Sequence, residues 1–270
     1  MTPLDASETL ETPLLWAGGK RWLIPRLLKM WRPHAHRRLV EPFCGAMSVV
    51  LGLRPERALL NDANAHLMRF WDWVQQPGPG GAKPKMRFDN DERRYYACRK
   101  RFNALAAGAV PKRFGEAAEL FYYLNRSCFN GLCRFNSDDG FNVPYGRRKS
   151  IRYMRDFSPW SSVLAKWELR RGNFSSIVLQ PDDCVYADPP YDVPFTAYSA
   201  GGFTWTDQEI LARWLTRHPG PVIASNQATR RVLKLYRSLG FKVKTLMGPR
   251  RISCDGDRTP AREMLATRNI

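Results

Sequence analysis

The sequence predicts an α/β fold in which helices cover a mostly parallel β-sheet. Two observations support this prediction. Short apolar segments recur along the chain and alternate with segments whose apolar residues have helical spacing. Several of the apolar segments also end directly in polar or acidic residues, as buried parallel strands do where their carboxyl ends carry chemistry. Together they indicate a Rossmann-like sheet that binds its ligand at the carboxyl ends of the strands.

The first half of the sheet is predicted between residues 13 and 74. A Gly-Gly turn places Lys20 before an amphipathic helix at 22–31, where the lysine can face a carboxylate or a phosphate. A first strand at 38–43 ends in a glycine turn at Gly45, and a second strand at 58–62 ends in Asp62. An acid after the second strand is typical of a ribose acceptor. Because a GxGxxG spacing is absent, we expect an adenosine-containing ligand without a pyrophosphate.

A break in the pattern at residues 75–84, rich in Pro and Gly, predicts a domain boundary. Helices are predicted at 92–107 and 115–124, followed by a loop-rich run from 125 to 149 in which Asn, Arg and aromatic residues alternate with Gly. Arg and Asn pair with base edges or phosphates, and an aromatic ring can enter between stacked bases. The alternative is a basic surface loop without a ligand.

The second half of the sheet is predicted from residue 166 onward. Strands are expected at 166–169, 185–187 and 221–226, helices at 206–217 and 229–239, and a closing hairpin between 241–247 and 263–267. The first of these helices is predicted to begin with a capping box that runs from Thr206 to Glu209. The long middle segment is therefore an insertion beside the ligand edge of the sheet.

The most informative stretch is Asp188-Pro189-Pro190-Tyr191, which directly follows an apolar strand. The prolines fix the backbone and hold a carboxylate close to a tyrosine that we expect to be exposed. A carboxylate, a proline carbonyl and a flat ring together suit a planar amino-heteroaromatic group such as a nucleobase. The alternative is a proline-rich strand exit with a surface carboxylate.

The net charge of +18 favours a polyanionic partner. Residues 83–166 hold 18 of the 43 Lys and Arg residues against 8 acidic ones, so the excess is concentrated in the insertion. The six cysteines lack metal-ligand spacing, no apolar run is long enough for a membrane span, and no signal peptide is visible. We expect a cytoplasmic monomer with reduced cysteines, no metal and no membrane partner.

Six sequence blocks, in order, resemble the Dam-type (D12 class) DNA adenine-N6 methyltransferases. They are Trp16-Ala17-Gly18-Gly19-Lys20, Glu41-Pro42-Phe43-Cys44-Gly45-Ala46, Asn61-Asp62, Asn125-Arg126 with residues 130–136, residues 141–146, and Asp188-Pro189-Pro190-Tyr191. The resemblance implies a Rossmann-like methyltransferase sheet formed by residues 1–72 and 161–270, with residues 73–160 as the domain that recognises double-stranded DNA. It also implies S-adenosylmethionine as the cofactor and transfer of its methyl group to N6 of an adenine flipped out of the duplex.

The resemblance assigns roles to individual residues. It implies a cofactor site at Trp16, Lys20, Phe43, Gly45, Asp62 and Asp188, and a catalytic motif at Asp188, Pro189, Pro190 and Tyr191. It implies contacts to the duplex from Phe129, Asn130, Leu132, Arg134, Asn136, Asn142, Pro144 and Arg147, with Phe129 and Asn130 entering beside the flipped adenine.

Three positions depart from the family pattern. Met47 replaces the second glycine of the first cofactor motif, where it is expected to narrow or reshape the cofactor approach. Leu15 stands where GATC-reading members carry a lysine, and Arg148 replaces an aromatic residue near the same edge. The target is therefore expected to be GATC or a related site. A DNA-binding protein that has lost its activity, and a methyltransferase acting on RNA or on a protein glutamine, are the alternatives.

Overall fold

The structure is a computed structural model that describes residues 10–76, 82–106, 114–192, 202–249 and 259–270. Residues 77–81 of the predicted boundary and Cys254 lie outside these ranges.

A seven-stranded sheet forms the centre of the described chain. The strands are β1 (Leu39–Glu41), β2 (Ala58–Asp62), β3 (Trp167–Arg171), β4 (Cys184–Ala187), β5 (Val222–Gln227), β6 (Lys242–Gly248) and β7 (Ala261–Arg268). They lie in the order β3-β2-β1-β4-β5-β7-β6, with β1 to β5 parallel and β7 antiparallel to both β5 and β6. The predicted Rossmann-like sheet and its closing hairpin are confirmed.

The helices also follow the sequence pattern closely. They are α1 (Ile24–Trp31), α2 (Ser48–Leu53), α3 (Ala65–Gln75), α4 (Glu92–Ala106), α5 (Phe114–Ser127), α6 (Ser158–Leu164), α7 (Trp205–Thr216) and α8 (Arg230–Ser238). The predicted capping box of α7 is wrong by two residues, because Thr204 and Asp207 cap the helix instead of Thr206 and Glu209. Both pairs have suitable side chains, and the chain direction before Trp205 decides between them.

Both faces of the inner strands β1, β2, β4 and β5 are buried, as their apolar segments predict. Successive residues of β1 point to opposite faces, so Leu39 packs in one core and Val40 in the other. Helix α3 covers the first face and is itself covered by α5, where the rings of Phe70 and Tyr122 stack at 5.9 Å. Helices α7 and α8 cover the second face. The inserted helices therefore rest on a helix of the sheet domain.

The topology brings three acids to one edge of the sheet. Strand β1 pairs with β2 on one side and with β4 on the other, in parallel register. The carboxyl ends of these strands carry Glu41, Asp62 and, one residue beyond β4, Asp188. The parallel order thus explains why residues far apart in sequence face a common space.

Candidate active site

A cavity of about 1820 Å³ opens at this edge of the sheet. Its walls come from the Gly-Gly turn, the ends of β1, β2 and β4, and parts of the insertion. The residues predicted for catalysis and cofactor binding all line it: Trp16, Lys20, Phe43, Gly45, Asp62, Asp188, Pro189, Pro190 and Tyr191. The structure therefore brings together two sets of residues that the sequence separates by more than a hundred positions.

Asp188 is held by hydrogen bonds from two directions. The Lys20 ammonium lies 3.0 Å from Oδ2, and the Ser225 hydroxyl donates to Oδ1 at 2.8 Å. Burial raises the pKa of Asp188, while Lys20 and then Ser225 oppose this rise by stabilising the charged form. Each carboxylate oxygen has a further lone pair, so Asp188 can still accept a hydrogen bond from a ligand.

Lys20 faces a carboxylate, as its sequence context suggests, but this carboxylate belongs to the chain itself. Its side chain is buried and its ammonium also donates to the Gly18 carbonyl at 2.7 Å. The turn expected to offer a cation to a ligand thus supplies a counter-ion to Asp188. A buried carboxylate needs such a partner to remain charged.

Tyr191 is only partly exposed, unlike the exposed ring that the sequence suggests. Its hydroxyl donates to Oε2 of Glu263 at 2.9 Å, and the Lys20 ammonium lies 4.7 Å from the centre of its ring. The same Glu263 oxygen is 3.8 Å from that ammonium. The ring of Tyr191 is therefore fixed at the floor of the cavity.

Asp62 closes the glycine turn that follows β1. Its Oδ2 accepts from the Gly45 N–H at 3.0 Å and its Oδ1 from the Asn64 N–H at 2.9 Å. Gly45 has a left-handed φ of 49°, and a Cβ here would lie 3.0 Å from the Trp16 indole nitrogen. A side chain at position 45 would therefore be strained and would crowd Trp16.

An aromatic wall covers the side of the cavity nearest β1. The ring of Phe43 contacts Phe174 at 5.4 Å and Phe203 at 5.6 Å between ring centres, and all three rings line the cavity. Flat apolar rings beside the carboxylate of Asp62 form a surface suited to a heteroaromatic group with an adjacent sugar.

Met47 does not narrow the cavity, contrary to the sequence-based expectation. Its side chain is fully buried in the core and does not line the cavity. The backbone adopts φ 58°, a left-handed conformation that glycine takes without strain. The methionine side chain points away from the ligand space because the turn reverses the chain at this residue.

Sequence reasoning missed four cavity-floor or supporting residues. Ser225 and Tyr186 form a buried relay, in which the Tyr186 hydroxyl lies 2.8 Å from the Ser225 hydroxyl and Ser225 in turn reaches Asp188. Glu263 depends on the antiparallel register of β7 against β5, where it lies opposite Gln227. No local motif gives that register.

Glu41 is the fourth missed residue, although it lies inside a recognised block. It is buried, lines the cavity, and its Oε1 has no hydrogen-bond partner among the described residues. Burial, followed by the charge of Asp188, raises the pKa of Glu41 well above its ordinary value. Burial therefore favours the neutral form of Glu41, and its unpartnered Oε1 is available for a hydrogen bond with a ligand.

The predicted DNA-contacting residues are arranged differently from the cavity residues. Of the eight, only Asn130 lines the cavity, and those outside its lining are Phe129, Leu132, Arg134, Asn136, Asn142, Pro144 and Arg147. Phe129 is 44% exposed and begins a 3-10 turn in which Asn130 has a left-handed φ of 53°. This turn presents an apolar ring to solvent at the side of the cavity.

The hairpin of residues 132–142, named the recognition hairpin for the role predicted for it, contains four of these residues. Its ends are joined by backbone bonds from Asn136 to Gly140 and from Asn142 to Arg134. The guanidinium of Arg134 donates to the Asn142 side chain at 2.8 Å. This bond fixes the orientation of an exposed arginine side chain. The Asn136 side chain instead accepts from the Gly140 N–H at 2.6 Å and stabilises the turn.

Leu15 is fixed at the boundary between the insertion and the sheet domain. The Asn125 side chain accepts from the Leu15 N–H at 2.9 Å and donates to its carbonyl at 2.7 Å. Gly131 passes so close that a Cβ there would meet the Leu15 Cβ at 2.4 Å. This arrangement uses the backbone of Leu15 and leaves an apolar side chain where GATC-reading members are expected to carry a lysine.

The described residues contain no cluster of three His, Cys, Asp or Glu side chains that could hold a metal ion. Within the same ranges, no helix has the length and apolar character required to cross a membrane.

The sequence profile of D12 class N6 adenine-specific DNA methyltransferases matches residues 16–249. The chain is 34% identical over 270 residues to a DNA adenine methylase of Vibrio cholerae, with 94% of each chain covered. It is 33% identical over 239 residues to the retron Ec67 DNA adenine methylase of Escherichia coli, covering 85% of this chain and 81% of that one.

A third relative is the DNA N-6-adenine-methyltransferase of Escherichia phage P1. It is 31% identical over 266 residues, which are 93% of this chain. The phage protein is much longer, and this chain spans only 34% of its length.

Proposed function

This chain belongs to the D12 class of N6 adenine-specific DNA methyltransferases, and we propose that it transfers the methyl group of S-adenosylmethionine to an adenine flipped out of duplex DNA. One observation carries this proposal. The Asp188 carboxylate, the two prolines and the Tyr191 ring share the floor of a cavity with the Asp62 and Phe43 wall. A methyl donor and a flat amino-heteroaromatic acceptor would therefore lie side by side.

The chemistry of the cavity residues fits S-adenosylmethionine. Asp62 would accept hydrogen bonds from the ribose hydroxyls, and Phe43 would cover the adenine ring. Trp16 and Gly45 would form the wall of the same site, while Lys20 would keep Asp188 charged. Glu41, whose Oε1 has no hydrogen-bond partner among the described residues, also lines this space. When bound, the cofactor supplies an electrophilic methyl group on a positively charged sulfur.

The protein must make the adenine amine nucleophilic, because the lone pair of N6 is delocalised into the ring. We propose that Asp188 and the Pro189 carbonyl accept the two N–H hydrogens of this amine. These bonds would pull the nitrogen toward a tetrahedral geometry and free its lone pair to form a bond to the methyl carbon. The bond from that carbon to sulfur would break, the sulfur would leave as a neutral thioether, and the amine would pass its surplus proton along its hydrogen bond to Asp188. The ionised form of Asp188 is the stronger acceptor, and Lys20 and Ser225 favour it.

Base flipping would use residues on both sides of the cavity. Unstacking a base costs a few kcal/mol. Stacking of the flipped adenine on Tyr191, and entry of the exposed Phe129 into the space left in the duplex, would offset this cost. Asn130 lines the cavity beside Phe129, a position from which it would contact the orphaned base partner or the adjacent backbone.

Residues 73–160 are proposed as the recognition domain. Arg134 and Leu132 would contact base edges with Pro144, while Asn136, Asn142 and Arg147 would contact the backbone. The proposed target is GATC or a related site. The apolar Leu15 supports a related site, because it offers no cation to an outer guanine.

The test is incubation of the purified chain with unmethylated duplex DNA and S-adenosylmethionine, followed by nucleoside mass spectrometry. We expect N6-methyladenine from the wild type and none from Asp188→Ala, whereas Asp182→Ala, which changes an exposed aspartate, should behave like the wild type. Sequencing of the product would then map the site. Tight DNA binding without product would favour an inactive DNA-binding protein, and product on RNA alone would favour an RNA methyltransferase.

A further inference from the structure

His66 joins the wall of the cofactor cavity to the recognition hairpin. It is the second residue of α3, whose first turn is capped by the Asn64 side chain directly after Asp62. His66 is buried and lines the cavity. Its backbone is therefore tied to the segment proposed to hold the ribose.

The side chain of His66 reaches into the recognition hairpin. Its ring stacks on Phe135 with 4.8 Å between centres and an angle of 19°. Its Nε2 lies 3.1 Å from Oδ2 of Asp139. Phe135 lies between Arg134 and Asn136, which are two proposed DNA contacts. A displacement of the His66 ring would therefore also displace these two neighbours.

The hydrogen bonds around the ring define its protonation state. Arg69 lies 3.3 Å from Nδ1 and carries only N–H donors, so Nδ1 must accept. Nε2 then carries the proton and donates to Asp139. Both bonds are satisfied only by the neutral tautomer with the proton on Nε2.

The hairpin has a second attachment that does not involve the sheet domain. The Asn103 side chain of α4 donates to the Phe141 carbonyl at 3.2 Å and accepts from the Phe141 N–H at 2.9 Å. Loss of the His66 contacts would therefore leave the hairpin attached to the insertion. What would be lost is its stacked and hydrogen-bonded link to the cofactor wall.

We propose that His66 is a positioning residue through which occupation of the cofactor site and alignment of the recognition hairpin on DNA reinforce each other. The proposal rests on the proposed function, since it needs a cofactor at Asp62 and DNA at Arg134. By thermodynamic reciprocity, a cofactor that orders the first turn of α3 tightens DNA binding by the same factor by which DNA tightens cofactor binding.

The link has a defined pH dependence. The charged groups that face His66 are Asp139 from the hairpin, Arg69 from its own helix and Arg171 from β3. Burial lowers the pKa of His66, Asp139 opposes this, and the two arginines add to it. The ring is therefore neutral at pH 7.5. A protonated ring would bond Asp139 more strongly, but burial and the two arginines disfavour the charged form more, so acid favours displacement of the ring from this position.

The test measures the affinity for a duplex carrying the mapped site, with and without saturating S-adenosylhomocysteine. For the wild type at pH 7.5 we expect the analogue to tighten DNA binding about fivefold or more. His66→Phe keeps a ring on Phe135 but loses the bond to Asp139, and should reduce the factor to less than about twofold. His66→Gln, which restores an N–H donor, should recover part of it, and His36→Phe is the matched control at an exposed histidine.

The factor is the ratio of two DNA affinities that are measured on the same preparation, with and without the analogue. An unfolded fraction lowers both affinities alike, so a partly unfolded variant cannot imitate the expected decrease in this factor. The wild-type factor should also fall as the solution is acidified below the ordinary pKa of histidine, whereas that of His66→Phe should not change. The proposal would be overturned if the analogue tightened DNA binding by the same factor in the wild type and in His66→Phe. It would also be overturned if the analogue did not change the DNA affinity of the wild type. Absence of N6-methyladenine from the wild type would instead contradict the proposed function.

Discussion

The floor of the cavity and the surface of the recognition insertion are built in opposite ways. At the floor, Asp188, Lys20 and Glu263 are largely buried and linked to one another directly or through Tyr191. On the insertion, Phe129 and Arg134 are exposed, and Arg134 is fixed by a single neighbouring side chain.

This difference shows how the two regions achieve precision. Buried charges act strongly on a ligand because little water screens them, but they must be paired in advance. Exposed groups are satisfied by water until a partner replaces it, so they need no partner within the chain. We therefore expect substitutions at the floor to change the rate of methyl transfer, and substitutions on the insertion to change DNA binding and target choice.

The strongest test of this contrast is Tyr191→Ala. Loss of the ring removes the surface proposed to hold the target adenine, and kcat should fall on the order of 10²-fold, as for a misplaced substrate. The affinity for duplex DNA should remain within about threefold. Tyr191→Phe, which keeps the ring but loses the bond to Glu263, is the matched control and should retain most activity. A similar kcat for Tyr191→Ala and the wild type would remove Tyr191 from the site.

A smaller effect is expected from Phe129→Ala at the boundary between the two regions. Stacking of an aromatic ring on a base is worth about 1–3 kcal/mol, so kcat/KM should fall roughly tenfold. Fluorescence of 2-aminopurine at the target position should report less flipping. Cofactor affinity should not change. Tyr96→Ala removes another exposed aromatic ring, on α4, and should leave both measurements unaltered; an equal loss there would indicate a general effect on the insertion.

Arg134→Ala tests whether the insertion reads sequence. A base contact by arginine contributes about 1–3 kcal/mol of discrimination at one base pair, so methylation of sites altered at that pair should approach that of the mapped site. Arg87→Ala, at a highly exposed arginine, should leave preference unchanged. If Arg134→Ala weakens all duplexes equally and lowers the salt dependence, the arginine contacts phosphate instead.

The smallest effect is expected from Ser225→Ala. Removal of the hydroxyl takes one hydrogen bond from the ionised form of Asp188, so its pKa rises further above the ordinary range. Activity, which needs the ionised form, should be lost at a higher pH than in the wild type as the solution is acidified. The two rates should converge in alkaline solution. An unchanged acid limb of the pH–rate profile would mean that Asp188 does not control it.

The sequence by itself determined the strand and helix order, because the apolar periodicities and the residues that end each element are local features. The family resemblance implied the nine residues that line the cavity, and the parallel order of the strands explains why those at strand ends share one edge of the sheet. The sequence did not predict the first residue of α7 or the orientation of the Met47 side chain. In both cases the direction of the backbone at one turn decides the outcome, and the chemical type of the side chain does not.

Only the tertiary structure decided which groups support the site. Glu263 reaches Tyr191 through the register of an antiparallel strand, and a shift by one residue would point it to the other face. His66 contacts Asp139 across 73 positions of sequence because α3 and the hairpin pack together. Such pairs depend on register and packing between distant segments, which local patterns do not encode, whereas strand ends and turns are specified by the residues that form them.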